Sequence, residues 1–253
     1  MSKDVSGLRF IVVGGAAGIG FATARMLVAR GAKVAVIDRD QPGLGRAKAD
    51  LGEELVAALQ GDLLDTAGFD AVFERAVAAL GGLDGLVNCA GIDLLKPAET
   101  MSDAEWDRVL AVNLTGPMRT CQSALPYLKN SPAGAIVNLS SGAGLMPLAN
   151  RTAYCTAKAG LVMMSKALAM EWAPYGIRVN AICPGAVDTP LFRTSYEYAA
   201  DPVAQLEQIK ARYALARIAE PDELAEAITF LVSPAASYIT GVALAVDGGR
   251  TFH

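Results

Sequence analysis

Short continuous apolar runs alternate along the chain with longer segments whose apolar residues recur every three or four positions. Phe10 to Val13, Lys33 to Ile37, Leu55 to Leu59, Leu83 to Val87, Gly134 to Leu139, Ile177 to Cys183 and Val242 to Val246 have the length of strands. Apolar runs without polar alternation belong to strands covered on both faces, as in parallel sheets. Between them, Ile19, Ala22, Met26 and Leu27 share one face of a helix that Gly31 ends. Further helices are predicted over Phe69 to Leu80, Ala153 to Trp172 and Leu224 to Leu231. Ser102 and Glu105 have the spacing of a capping box, opening a helix with Trp106, Val109, Leu110 and Asn113 that restarts after Pro117 and continues past Leu128. This alternation specifies an α/β fold: a doubly wound parallel sheet of about seven strands, with right-handed crossovers and helices on both faces. No linker, repeat or low-complexity segment divides it, so residues 1–253 read as one domain.

The helix over Ala153 to Trp172 departs from ordinary amphipathic patterning. Leu161, Val162, Met163, Met164, Ala167, Leu168, Met170 and Trp172 leave little polar surface on any side. A helix apolar all round is buried all round. One face is therefore expected to pack on the sheet and the other against another subunit.

Composition narrows the class. Hydrophobic residues make up 53% and charged residues 19%, enough for a large core. A formal charge of −4 without a basic cluster argues against a nucleic-acid surface. No apolar run approaches the roughly 20 residues of a membrane span, and the first residues lack the form of a secretory signal, so a cytoplasmic protein is expected. The four cysteines are scattered, which fits reduced thiols. The single histidine is His253, the last residue, which disfavours a Ser-His-Asp hydrolase and excludes a histidine-built metal site. No metal is expected.

Chemistry concentrates where strands end. Six successive strands terminate at Gly14, Asp38, Asp62, Asn88, Ser141 and Pro184. Ligands of open α/β sheets bind outside the carboxyl ends of the strands, so a set of polar or turn-forming endings points to an extended ligand lying across one edge. The first strand runs into Gly14-x-x-x-Gly18-Ile19-Gly20 and then a helix, the context in which glycines let the backbone approach a pyrophosphate at a helix N-terminus. At the head of the long apolar helix, Tyr154 and Lys158 lie four residues apart and so share a face. An ammonium near a phenol favours the phenolate, lowering a pKa of about 10 toward the range of a general acid/base.

With these residues in view the chain resembles the short-chain dehydrogenase/reductase family from Phe10 to Gly249. The motifs are the glycine turn, Asn88-x-Ala90-Gly91, Ser141 placed 13 residues before Tyr154, Tyr154-x-x-x-Lys158, and Pro184-Gly185 with Thr189 close behind. The resemblance implies a single-domain Rossmann fold and reversible hydride transfer between a nicotinamide cofactor and a secondary alcohol or ketone. In this reading Tyr154 is the general acid/base, and Lys158 holds the nicotinamide ribose and lowers the tyrosine pKa. Ser141 bonds the substrate oxygen, and Asn113 positions a water in a proton relay leading to Lys158. The cofactor set implied is Gly14, Gly18, Ile19, Gly20, Asp38, Arg39, Asp62, Leu63, Asn88, Ala90, Gly91, Tyr154, Lys158, Pro184, Gly185, Val187 and Thr189.

A carboxylate at Asp38 suits the adenosine ribose hydroxyls and repels a 2′-phosphate, so NAD is expected. Arg39 keeps NADP possible. Two positions depart from the family pattern: Val13 replaces a usual threonine and Cys89 a usual second asparagine. The family also implies a homotetramer. A dinucleotide-sensing or scaffolding protein of the same fold is the alternative, but a sensor needs no Asn113, Ser141, Tyr154 and Lys158 together.

The small-molecule substrate, of polyol, sugar, hydroxy-acid or cyclic alcohol type, is expected to sit among Asp93, Ser141, Leu145, Asn150, Tyr154 and Phe192. The segment around 190–215, including Phe192 to Tyr198, lacks periodicity and is expected to be a mobile lid. Asp93, Asn150 and Arg193 are the candidates for recognising a polar or anionic substituent, although a solvated loop residue is the plainer reading of each.

Overall fold

A computed structural model describes residues 4–197 and 199–252; His253 and Tyr198 of the expected lid lie outside the described residues. Seven strands form one parallel sheet in the order β3-β2-β1-β4-β5-β6-β7. They are β1 Arg9–Val13, β2 Lys33–Asp38, β3 Leu55–Gln60, β4 Gly85–Asn88, β5 Ala135–Leu139, β6 Arg178–Pro184 and β7 Ala243–Val246. Each matches an apolar run to within two residues at either end. The helices are α1 Gly18–Ala29, α2 Gln41–Leu51, α3 Thr66–Leu80, α4 Asp103–Leu110, α5 Gly116–Leu128, α6 Thr152–Trp172, α7 Pro190–Arg193, α8 Pro202–Lys210 and α9 Pro221–Val232.

The alternation of the strand side chains divides the core in two. Phe10, Val12, Val34 and Val36 face Ala24, Leu27 and Val28 of α1, Leu44 and Ala47 of α2, and Leu224, Ile228 and Leu231 of α9. Ile11, Val13, Ala35 and Ile37 face Phe69 and Phe73 of α3, Cys121 and Ala124 of α5, and Leu168 and Trp172 of α6. Both faces of every central strand are therefore dry, which is why the strands lack polar alternation. Strand order reverses between β1 and β4, and that reversal opens a crevice at the carboxyl edge.

Helix α1 is also fastened to α9 by ion pairs, Arg25 with Asp222 and Arg30 with Glu226. The capping box at Ser102 and Glu105 is formed as expected. Helices α4 and α5 are joined by a π-helical turn over Ala111–Thr115, with Pro117 in the first turn of α5, so the expected restart is continuous with what precedes it.

Three helices were not visible as periodic patterns. Helix α2 contains Gly43 and Gly45 and little apolar surface, yet a Cβ at Gly43 would press on Ala16 at 3.0 Å, so the glycine allows α2 to lie against the first turn. Helices α7 and α8 give the 190–215 segment defined structure. Each opens with a capping residue, Thr189 or Asp201, followed at once by a proline as its first residue. Cap residue then proline is the signal that marks such short helices. Helix α6 is buried at Leu161, Val162, Leu168 and Trp172 as expected, whereas Met163 (63% exposed) and Met170 (82% exposed) form, with Ala167, a stripe facing away from the chain's own core. Among the described residues no helix is long and apolar enough to cross a membrane.

Candidate active site

The crevice at the carboxyl edge consists of two cavities that share Ile19, Cys89, Gly91, Leu139, Thr189 and Leu191. The first, of about 370 Å³, is walled by Gly14, Gly18, Ile19, Gly20, Asp38, Arg39, Asp62, Leu63, Ala90, Gly91 and Thr189. All of these stand in the expected dinucleotide set. Gly14 has φ +79°, and a Cβ there would collide with the Ala90 backbone nitrogen. A Cβ on Gly20 would strike the Gly14 carbonyl, so only glycine lets α1 begin this close to β1. No side chain caps α1 and no acidic residue occupies its first turn, leaving its N–H groups open to an anion. Asp38 accepts from the N–H groups of Ala16 and Asp40, both at 3.0 Å, which fixes its carboxylate at the cavity wall. These features fit a dinucleotide with its pyrophosphate over the glycine turn.

At the Val13 and Cys89 departures, the turn is tied to the segment after β4 by backbone. The N–H groups of Cys89 and Ala90 both donate to the Val13 carbonyl, at 2.8 and 3.0 Å. Asn88 does not face the crevice. It is buried and spans the interior, its amide donating to Asn138 Oδ1 and its oxygen accepting from Thr120 Oγ1, both at 2.8 Å.

The second cavity, of about 430 Å³, brings Ser141, Tyr154 and Lys158 together with Pro184, Gly185 and Val187. Ser141 lies two residues beyond β5; Tyr154 and Lys158 lie in the first two turns of α6. The loop and helix are pinned to each other by Ser140 Oγ, which donates to the Lys158 carbonyl at 2.8 Å. Gly144 permits this approach, since a Cβ there would fall 2.8 Å from the same carbonyl. Both serines line the cavity, but the Ser140 hydroxyl is committed to the Lys158 carbonyl.

The electrostatics correct one expectation. Burial pushes the Tyr154 hydroxyl up to about 12, an effect only partly offset by the Ser141 hydroxyl. The Lys158 ammonium lies 5.7 Å from the tyrosine ring centroid and donates to the Leu139 carbonyl at 2.7 Å. Burial in turn brings Lys158 down to about 8, against the opposing influence of Cys89, Cys183 and Asp93. Asn113 is fully buried. Its amide donates to the carbonyls of Ile92 and Val109 at 2.9 and 3.0 Å, and its oxygen accepts from the Ile92 N–H at 3.2 Å. A Cβ on Gly91 would meet Asn113 Oδ1 at 2.9 Å and Lys158 Nζ at 3.5 Å, so the two groups flank the same glycine.

The expected substrate residues divide. Asp93, Asn150 and Phe192 line the cavity with Ser141 and Tyr154, but Leu145 turns to the surface and Met146 and Leu148 supply the apolar wall instead. Arg193 is held outside by a two-pronged pair with Asp188, at 2.7 and 2.9 Å. Residues the sequence did not single out also reach the cavity: Gln205 and Ile209 of α8, Arg212, Tyr213, and Arg250 just beyond β7. Arg250 was accessible to the strand-end rule, since it follows the carboxyl end of the last strand; no local pattern marks the others.

Comparison with known proteins agrees with this geometry. The family profile described as enoyl-(acyl carrier protein) reductase matches residues 14–251. A 2-(S)-hydroxypropyl-CoM dehydrogenase of Xanthobacter autotrophicus is 37% identical over 99% of both chains. A cis-4-hydroxycyclohexanecarboxylate dehydrogenase of Sinomonas cyclohexanicum is 41% identical over 95% of both chains. The crystal structure of levodione reductase superposes with a TM-score of 0.93 at 31% identity, covering 97% of this chain and 98% of that one. The chain belongs to the short-chain dehydrogenase/reductase family and is a nicotinamide-dependent oxidoreductase of alcohol and carbonyl groups.

Proposed function

We propose that this enzyme interconverts a secondary alcohol and its ketone with NAD, using Tyr154 as general acid/base. The observation that carries the proposal is the continuity of the glycine-turn cavity with the one that Ser141, Tyr154 and Lys158 share. The dinucleotide, when bound, supplies or accepts the hydride. Tyr154 gives its proton to the carbonyl oxygen in reduction and takes it from the alcohol in oxidation. With its pKa near 12 the hydroxyl is protonated at neutral pH, the form that reduction requires. Ser141 orients the same oxygen. Lys158 holds the ribose hydroxyls, and its charge favours the phenolate when the proton must leave. Because the Asn113 side chain is committed to backbone groups, a relay through this residue uses its main-chain carbonyl. Segment 190–215 serves as the lid, with Leu191, Phe192 and Ile209 on the cavity side. A cyclic alcohol, as in the name of the Sinomonas relative, suits the apolar walls.

NAD rather than NADP follows from Asp38, whose carboxylate opposes a 2′-phosphate. Fluorescence titration should show NADH binding at least about tenfold tighter than NADPH, and Asp38→Ser should narrow that ratio. NADPH binding as tight as NADH would refute this preference and assign the 2′-phosphate to Arg39.

A homotetramer is proposed on the outward stripe of Met163, Ala167 and Met170 on α6, which a neighbouring subunit would cover. Sedimentation at micromolar concentration should show the assembly, and Met170→Glu should weaken it. A stable wild-type monomer would sink this proposal. The four cysteines are free thiols, which suits the reducing cytoplasm.

A further inference from the structure

The cavity holding Ser141 and Tyr154 is cationic in an acidic protein. The whole chain carries a formal charge of −4, yet the charged residues lining this cavity are one carboxylate, Asp93, and four bases, Arg151, Lys158, Arg212 and Arg250. Asp93 is already matched, accepting from Arg151 Nε at 2.7 Å. Lys158 donates to the Leu139 carbonyl. Arg212 and Arg250 remain, and among the described residues neither guanidinium forms an ion pair.

The turn that carries Arg250 is stabilised without it. Asp247, buried just after β7, accepts from the Gly249 N–H at 3.0 Å and from the Thr251 N–H and hydroxyl at 2.9 and 2.7 Å, so both of its oxygens are engaged within the turn. Gly248 and Gly249 take φ of +58° and +84° to close it. The turn lies beside the catalytic loop, since a Cβ on Gly142 would meet Thr251 Cγ2 at 3.6 Å. Among the described residues the Arg250 side chain hydrogen-bonds only the Met146 sulfur, a weak acceptor for a guanidinium. Arg212 arrives from the lid, two residues beyond α8. The segment after Arg212 packs on the turn that carries Arg250: the Leu215 N–H donates to the Gly248 carbonyl at 3.1 Å, a Cβ on Gly248 would meet the Tyr213 ring at 3.7 Å, and both arginines line the same cavity. Leu148, Leu191, Phe192 and Ile209 make the remaining wall apolar.

We propose that Arg212 and Arg250 form an oxyanion-recognition site, so that the enzyme takes secondary alcohols or ketones bearing a carboxylate or sulfonate across an apolar spacer from the reacting carbon. The substrate class rests on the oxidoreductase reading of the same cavity. Guanidinium forks match either oxyanion and are among the more strongly binding hydrogen-bond donors.

The test is calorimetric titration with cyclohexanecarboxylate, cyclohexanesulfonate and cyclohexanecarboxamide. It is run on the protein alone and on the protein saturated with NADH, for wild type, Arg212→Gln, Arg250→Gln and the double variant. At least one oxyanion should bind about tenfold or more tightly than the amide, with an advantage that shrinks in salt and disappears in the double variant. Oxyanions binding no better than the amide, or an advantage that survives loss of both arginines, would overturn the proposal. The sulfonate and carboxylate arms identify which oxyanion fits. NADH titration of wild type separates the two readings: failure to bind NADH counts against the oxidoreductase assignment, while the oxyanion comparison on the protein alone still decides the role of the arginines.

Discussion

Tyr154→Phe should lower kcat by roughly a thousandfold in either direction, the typical worth of a positioned general acid/base, while fold and NADH affinity stay close to wild type. The substitution keeps the ring, which packs with Val109, Ala153 and Ala157 at the start of α6, and deletes only the hydroxyl. That hydroxyl is the titratable group at the cavity wall beside Ser141, and burial holds it in the acid form at neutral pH. Nicotinamide absorbance against a panel of ketones and secondary alcohols measures the loss, with circular dichroism reporting the fold. A variant retaining activity within tenfold of wild type would remove Tyr154 from the mechanism.

Asp84→Ala should cost about 1–3 kcal/mol of stability without touching the chemistry, since it removes a buried carboxylate from its hydrogen-bond donors at the opposite edge of the sheet. Asp84 lies just before β4 and is 3% exposed. It accepts from the Arg9 N–H at 2.9 Å, from Arg9 Nε and Nη2 at 2.8 and 3.0 Å, and from Ser131 Oγ at 2.7 Å. Alanine leaves these donors unsatisfied and the partly exposed Arg9 guanidinium without its partner. Urea unfolding should show the midpoint falling with little change in slope.

The pH dependence has a definite sign. Burial alone would raise the Asp84 carboxyl, but the hydrogen bonds from Arg9 and Ser131 and the charge of Arg9 outweigh it and hold the group below its ordinary 3.8. A carboxylate depressed in the folded state stabilises above the unfolded value and loses that contribution as pH falls through the folded one. The gap between wild type and Asp84→Ala should therefore be complete above about pH 4 and narrow at lower pH. A loss under about 1 kcal/mol at neutral pH would class the pair with ordinary surface bridges and refute the assignment.

The fold was legible where burial left a local trace. The seven strands are apolar runs because helices cover both faces of the sheet, and the capping box at Ser102 marks α4 by chemistry that depends on four residues alone. The crevice was legible because glycines, carboxylates and hydroxyls mark the strand ends. Helix α2 was hidden because it holds two glycines and little apolar surface; Gly43 serves close packing on Ala16, a tertiary need that outweighs propensity. Asn88 shows the limit of motif reading: its polar side chain ties strands to α5 inside the sheet, a role that motif position does not distinguish from ligand contact. Electrostatics were the least legible. Spacing placed Lys158 beside Tyr154, but the carbonyl that its ammonium also bonds comes from β5, and only the assembled fold supplies it. The same holds for Arg212 and Arg250, which belong to segments far from the catalytic helix in the chain and meet only in three dimensions.

The packing of α1 against α9 also sets an order on synthesis. The helix that begins at the glycine turn is covered by a segment that starts only at Pro221, and the ion pairs from Arg25 and Arg30 wait for Asp222 and Glu226. While the chain grows from its N-terminus, Ala24, Leu27 and Val28 lack part of their cover until nearly nine-tenths of the sequence has emerged. The first segment of the dinucleotide site to be made is thus among the last to be enclosed, and a chain that stops short of α9 exposes an apolar face directly behind the turn.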